Sequence, residues 1–262
     1  MAKNIIGIIG GGNMGEALIK GLYAKYTVHV CETNDARIKY LKAKYKGIVL
    51  GDLKVVQTAS IIILAIKPQD MEALLMQIPV EKNALIISIA AGLTTKFFEK
   101  NLGGKARIIR CMPNMPALIG EGITGICQGR FATTADLKMA EKILLTIGEV
   151  VIVKESMIDA VTAVSGSGPA YVFLFVEQWM VAAQTLGFSQ QEARQLIYKT
   201  LLGSTHLLEK SEFDAATLRA KVTSKGGTTQ AAMDVFFKGN ALGKLMKEAI
   251  NAAKKRSKEL AK

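Results

Sequence analysis

The residues most able to do chemistry begin at Gly10. Gly10-Gly11-Gly12-Asn13-Met14-Gly15 matches G-x-G-x-x-G. It follows the β-branched run Ile5-Ile6-Gly7-Ile8-Ile9 and precedes a helical pattern at Ala17, Leu18 and Leu22. Strand, glycine turn and helix form the context in which this spacing holds the pyrophosphate of a dinucleotide. Gly10 permits the tight turn, Gly12 lets phosphates approach the backbone, and Gly15 lets helix and strand pack closely. Free N–H groups and the dipole at the helix start favour an anion. About twenty residues on, Glu32 ends a second strand-like run, where a carboxylate can hold the adenine ribose hydroxyls. Thr33, Asn34 and Arg37 follow, and these groups could instead receive a 2′-phosphate. The residues therefore leave NAD and NADP both open.

A second polar glycine segment lies far along the chain, Thr223-Ser224-Lys225-Gly226-Gly227-Thr228-Thr229, feeding a helix over Gln230 to Lys238. Two glycines before two hydroxyl caps make a helix start that a ligand can approach closely. Its N–H groups would suit a carboxylate. A plain capped helix is the alternative.

Strands alternating with helices must position the first of these motifs. The expected strands are 5–9, 27–31, 47–50, 61–66, 85–89, a run at 108–109, 123–127 and 150–153. Ile61 to Ile66 is apolar on both faces, as a central parallel strand must be. Successive strands end in small, polar or proline-containing loops: Lys67-Pro68-Gln69, Ala90-Ala91-Gly92 and Arg110 to Pro116. Ligands of open α/β sheets bind beyond the carboxyl ends of the strands. After residue 155 the alternation stops and everything reads as helix. The sequence thus predicts an α/β fold, an N-terminal Rossmann-type doubly wound sheet (1–155) followed by an all-α domain (156–262). In the helical part, Ala170 to Leu186 is apolar nearly all round. Such a helix must be buried, which a domain of about a hundred residues struggles to do alone. A partner subunit is expected. The last helix is expected over Asn240 to Ala261.

The 262 residues carry a net charge of +12, half are hydrophobic, and aromatics are only 6%. The lysines are dispersed, and neither an arginine-rich arm nor zinc-ligand spacing is visible, so nucleic-acid binding is not expected. Lys254, Lys255, Arg256 and Lys258 complement the dipole at the end of the last helix. Cys31, Cys111 and Cys127 form no C-x-x-C pair, which argues for reduced thiols in the cytosol. No run of 18 uninterrupted apolar residues occurs, so no membrane-spanning helix is expected, and no signal peptide is read before the first strand. His29 and His206 stand in no catalytic arrangement.

Several segments, in order, carry a family resemblance. They are Gly10 to Gly15, Ala65-Ile-Lys-Pro68, Ser88-Ile-Ala-Ala-Gly92, Arg110-Cys-Met-Pro-Asn114, Asp159 to Tyr171 with its core Ser165-Gly-Ser-Gly-Pro-Ala-Tyr171, and Gly226-Gly-Thr-Thr229. Together the chain resembles pyrroline-5-carboxylate reductase over essentially its whole length. The resemblance implies an NAD(P)H-dependent imine reductase that turns 1-pyrroline-5-carboxylate into L-proline, the last step of proline biosynthesis. NADPH is the implied cofactor, with NADH as an alternative. It also implies site roles. Gly10, Gly11, Gly12, Asn13 and Met14 would hold the pyrophosphate. Ala65, Lys67 and Pro68, with Ala90, Ala91 and Gly92, would line the nicotinamide and its ribose. The substrate carboxylate would rest on Ser224, Gly226, Gly227 and Thr228. Thr229 would hydrogen-bond the imine nitrogen as the catalytic residue, while Met112 and Val222 touch the ring. No metal is implied.

The family forms homodimers through the helical domain, often gathered into larger rings. In the dimer the substrate loop of one subunit faces the cofactor of its partner. A cytoplasmic protein without nucleic-acid or membrane partners is implied. Two positions depart from the family pattern: Met115 stands where Thr is usual, and Lys225 where Pro is usual. The competing readings are a β-hydroxyacid dehydrogenase, which shares the fold plan and lacks the Gly-Gly-Thr-Thr loop, and a non-catalytic dinucleotide sensor.

Overall fold

The computed structural model describes residues 5–78 and 84–260. The chain divides into two compact units, Met1–Pro169 with Ala252–Lys262, and Ala170–Asn251.

The first unit is built on one sheet. Its strands are β1 (Ile5–Ile9), β2 (Thr27–Cys31), β3 (Val49–Gly51), β4 (Ile61–Leu64), β5 (Leu85–Ser88), β6 (Arg107–Met112), β7 (Gly122–Gln128) and β8 (Gly148–Ile152). They lie in the order β3-β2-β1-β4-β5-β6-β7-β8. Neighbours pair parallel except β6 and β7, which run antiparallel. The reversal of strand order between β1 and β4 is the switch point where such sheets bind ligands. The helices of this unit are α1 (Asn13–Leu22), α2 (Asp35–Lys44), α3 (Met71–Leu75), α4 (Thr95–Asn101), α5 (Thr134–Leu144) and α6 (Ile158–Val161). Two apolar clusters form its core. One joins Ile6, Ile8, Leu18, Leu22 and Ile63; the other joins Ile62, Leu64, Ile86 and Phe98. Alternate residues of β1, β4 and β5 fall in different clusters, because side chains alternate across a strand and both faces of a parallel sheet are covered.

The second unit is helical. It holds most of α7 (Gly168–Thr185), then α8 (Gln190–Lys210), α9 (Ala215–Lys221), α10 (Thr228–Phe237) and the start of α11 (Ala241–Leu260). Ser189 and Glu192 form a capping box at the start of α8, and the Asp214 side chain caps α9. Such caps satisfy N–H groups that the helix itself leaves free.

Most strand expectations hold within one or two residues, with several differences. The third strand starts at Val49 rather than Gly47, whose φ of +94° places it in the preceding turn. The sheet ends at Ile152, close to the expected boundary at 155, but the compact division falls later, after Pro169. Ala252–Lys262 also belongs with the sheet. The contacts explain this: Ser257 Oγ donates to Asp159 Oδ1 at 2.8 Å, and Asp159 faces the buried Arg110 guanidinium at 3.5 Å. α7 runs from Gly168 to Thr185, against the expected Ala170 to Leu186, and begins just beyond a π-helical turn over Thr162–Gly166. α11 starts at Ala241, with Gly239 and Asn240 both at positive φ before it; the expected end, Ala261, lies outside the described residues.

By length and composition alone, one helical stretch, Glu155–Thr185, is long and apolar enough to cross a membrane, with mean hydropathy 1.2, although it contains no run of 18 uninterrupted apolar residues. Ser165 to Gly168 interrupt the apolar run.

Candidate active site

The loop from Gly10 to Gly15 owes its shape to two close approaches. Gly10 has φ +100°, and a Cβ there would stand 2.5 Å from the Ala65 carbonyl oxygen. A Cβ on Gly15 would stand 2.0 Å from the Gly10 carbonyl oxygen. Neither position tolerates a side chain without moving the turn. Over Gly12, by contrast, a Cβ would meet nothing within 4 Å. Gly12 is the N-cap of α1, and no side chain caps that helix. An open, uncapped helix start beside the switch point fits a pyrophosphate, so the donor set matches the dinucleotide expected from sequence.

Backbone hydrogen bonds align the neighbouring loops along the carboxyl edge of the sheet. Gly10 N donates to Cys31 O at 2.9 Å, Ala65 N to Ile9 O at 2.8 Å, and Ile89 N to Leu64 O at 3.2 Å. This row brings Gly10 to Met14, Glu32, Ala65 and Ala90 together within the first unit. Lys67 is exposed and serves as N-cap of a short 3₁₀ turn that begins at Pro68. Gly92 has φ +79° and lies under Leu260 near the end of α11.

Glu32 is tied down more firmly than the sequence suggests. Its Oε2 accepts from Gly11 N at 2.7 Å, and its Oε1 accepts from Thr33 N at 2.7 Å and Asn34 N at 2.8 Å. Asn34 caps α2 by accepting from Arg37 N. The Arg37 guanidinium donates to Gly11 O and pairs with Glu16. Glu16 Oε1 also accepts from Lys44 Nζ at 2.9 Å and from the Tyr40 and Tyr45 hydroxyls at 3.0 Å each. Burial by itself would raise the Glu16 pKa, but the hydrogen bonds from Lys44, Arg37, Tyr40 and Tyr45 outweigh it and lower the pKa to about 2. Sequence reading missed this cluster. An acidic residue in a first helical turn is ordinary, and nothing local shows that three side chains of α2 and Tyr45 will converge on it.

Met112, at the end of β6, lies against the π turn: a Cβ on Gly166 would stand 2.6 Å from its methyl carbon. Two segments of the family resemblance, far apart in sequence, therefore meet here. Asn114 Oδ1 accepts from Ile123 N at 2.9 Å and steadies the loop that follows β6. Met115 is half exposed and opens a 3₁₀ turn. The three cysteines are buried and free, as expected. Burial raises the thiol pKa of each, pushing Cys127 to about 12. His29 is fixed by Val55 O at 2.6 Å, and His206 is exposed.

In the second unit, Ser224, Gly226, Gly227, Thr228 and Thr229 form the turn into α10. Gly226 has φ +70°, and Gly227 N donates to Ser224 O at 3.0 Å. The two threonines are not the helix caps expected from sequence. They occupy the first two helical positions, Gly227 is the N-cap, and no side chain caps the turn. Glycine has no side-chain oxygen with which to cap, so the first N–H groups are left to another acceptor. Val222 just before is exposed, as is Lys225. No cluster of three or more metal-ligating side chains occurs among the described residues.

Residues 155–260 match the family model described as pyrroline-5-carboxylate reductase dimerisation. Residues 5–92 match the one described as NADP oxidoreductase, coenzyme F420-dependent. A pyrroline-5-carboxylate reductase of Pseudomonas aeruginosa is 37% identical over 100% of this chain and 98% of its own. The structure of such a reductase from Coxiella burnetii superposes with TM-score 0.89 at 35% identity, covering 100% of both chains. One from Plasmodium falciparum with NADP bound gives TM-score 0.87 at 28% identity, again covering 100% of both. The first unit's Rossmann sheet, the helical part that follows it and the uncapped turn at Gly227 thus occur in a chain that belongs to the pyrroline-5-carboxylate reductase family.

Proposed function

We propose that the protein reduces 1-pyrroline-5-carboxylate to L-proline with NAD(P)H, in a homodimer formed through its helical part, residues 156–262. The observation that carries this reading is the start of α10. Its first turn has no side-chain cap, and Thr229 follows within that turn. Converging N–H groups suit the carboxylate of a small ring, and a hydroxyl one residue on suits its imine nitrogen.

Bound NAD(P)H supplies the hydride. The chain's own residues bind and orient. The α1 start, from Gly10 to Met14, holds the pyrophosphate against open N–H groups. Ala65, Lys67 and Pro68, with Ala90, Ala91 and Gly92, line the nicotinamide side. Ser224, Gly226, Gly227 and Thr228 seat the carboxylate, and Lys225 adds a positive charge beside it. Thr229 hydrogen-bonds the imine nitrogen, donating to it when neutral and accepting its N–H once protonated, and Met112 and Val222 give the ring apolar contact. A protonated imine is already electrophilic, so positioning supplies most of what the reaction needs.

The exposed apolar face of α7 supports the dimer. Phe173 is 57% exposed and Leu174 56% in the single chain, and both fall in the stretch matched by the dimerisation model. A subunit interface accounts for the apolar Glu155–Thr185 stretch without a membrane. Further association of dimers into rings, and a cytoplasmic location with reduced thiols, complete the reading. The test is an assay of NAD(P)H oxidation with pyrroline-5-carboxylate beside a 2-hydroxy acid assayed in the oxidative direction. Turnover of the imine alone is expected; turnover of the hydroxy acid alone would favour the β-hydroxyacid dehydrogenase reading. Tight cofactor binding with no turnover would favour the sensor.

A further inference from the structure

The seat for the adenosine end of the cofactor carries charge of one sign. A cleft of about 310 Å³ opens beside Gly10 at the carboxyl ends of β1 and β2, and Glu32, Thr33 and Asp70 line it. Two carboxylates face this cleft, and among its described lining residues there is no lysine or arginine. Backbone N–H groups of successive turn residues commonly form a concave nest for a phosphate. Here the Thr33 and Asn34 N–H groups, with that of Gly11, already hold an anion, the Glu32 carboxylate, at 2.7–2.8 Å. The obvious cation for a phosphate is engaged as well. Arg37 donates to Gly11 O and pairs with Glu16, which also takes Lys44. Glu16 thus engages Arg37, the first cation of α2 after the turn, and Lys44 at the far end of that helix.

We propose that Glu32, seated in its own backbone nest, makes this enzyme favour the dinucleotide without a 2′-phosphate, NADH, over NADPH, with Glu16 withholding Arg37 from that phosphate. The inference rests on the reading of the first unit as a dinucleotide site and deepens it. A ribose with free 2′- and 3′-hydroxyls can donate to the remaining lone pairs of a fixed carboxylate. A 2′-phosphate brings about two negative charges against Glu32 and Asp70, and like charges set face to face across a binding contact are strongly disfavoured. NADPH remains a usable cofactor, because the pyrophosphate seat is the same for both.

Calorimetric titration of NADH and NADPH into the full-length protein, with no imine present, tests this. The wild type is expected to bind NADH about 10-fold or more tightly than NADPH, and E32S to shrink that ratio at least about 10-fold, mainly by tightening NADPH. E32Q guards against misfolding, since it keeps the length of the side chain and an oxygen for the Thr33 and Asn34 N–H groups while removing the charge; it should shift the ratio the same way. E16Q, which frees Arg37, should tighten NADPH alone. Equal or tighter binding of NADPH by the wild type, or an unchanged ratio in both Glu32 variants, would overturn the proposal. Correct selectivity in the titration without imine turnover would instead remove the proposed reaction and leave the selectivity standing.

Discussion

The two units bury their apolar residues to very different extents. In the first, Ile6, Ile8, Leu18, Ile62, Ile63 and Ile86 are wholly buried, and both faces of the sheet are covered. In the second, only Ala183, Ala193 and Ile197 form a buried apolar cluster, with Val176, Met180 and Leu201 packed against it. An apolar trough of about 750 Å³ between α7 and α8 is lined by Val172, Phe173, Val176, Met180, Tyr198 and Leu202 among others. Both units contain strongly apolar elements, so hydrophobicity alone does not distinguish them. What differs is where the covering surface comes from. βα crossovers bring their own helices onto the sheet. In the helical unit α7 leaves Phe173, Leu174 and Val181 exposed, and an exposed apolar patch of this kind marks an interaction face. The first unit is therefore expected to hold cofactor by itself, and the second to complete its core in the dimer.

The sharpest way to break this contrast is Phe173→Asp, which places a charge in the face to be covered. Sedimentation should show a monomer and kcat/KM should fall by about 100-fold or more, because an unpaired charge in a dry interface is strongly destabilising. NADH affinity should stay within about threefold if the first unit acts alone. A dimer with unchanged activity would show that this face is not the interface. Gly15→Ala attacks the other unit. Its Cβ cannot stand 2.0 Å from the Gly10 oxygen, so the turn must shift, and dinucleotide affinity should fall about 100-fold with the dimer intact. Titration and sedimentation on the same sample separate the two effects.

On the proposed reading, Thr229→Val takes away the one hydroxyl set against the imine nitrogen. It should lower kcat/KM for the imine about 10–100-fold, with cofactor affinity unchanged; wild-type kinetics would exclude the assigned role. The smallest expected effect is on pH. The Glu16 pKa falls from 4.5 to about 2 on folding. A carboxylate with a lowered folded pKa adds stability that is fully present above pH 4.5 and is lost as the pH falls towards 2. Glu16→Gln should therefore lower Tm at neutral pH and flatten its decline between pH 4.5 and 2, read by thermal melts of the full-length protein across that range. Parallel curves for the two proteins would show that Glu16 carries no such linkage.

The contrast between the units also separates what was legible in the chain from what was not. Apolar periodicity located β1, β2, β4 and β5 to within two residues at each end, because parallel strands buried on both faces must be continuous apolar runs. The G-x-G-x-x-G spacing located the tight turn between β1 and α1, because a backbone conformation that only glycine adopts leaves glycine in the sequence. The apolar α7 announced a partner, because such a surface cannot remain in water. Those are local or compositional constraints, and the sequence by itself determined them. Tertiary structure alone decided that α11 returns its last residues to the sheet through Ser257 and Asp159, that Met112 meets Gly166, and that the Glu32 carboxylate fills a nest of three N–H groups while Glu16 takes Arg37 and Lys44. Each of these depends on side chains separated in sequence meeting in space. Charge and hydrogen-bonding capacity are written in the residues, but which partner consumes them is set only when the elements pack.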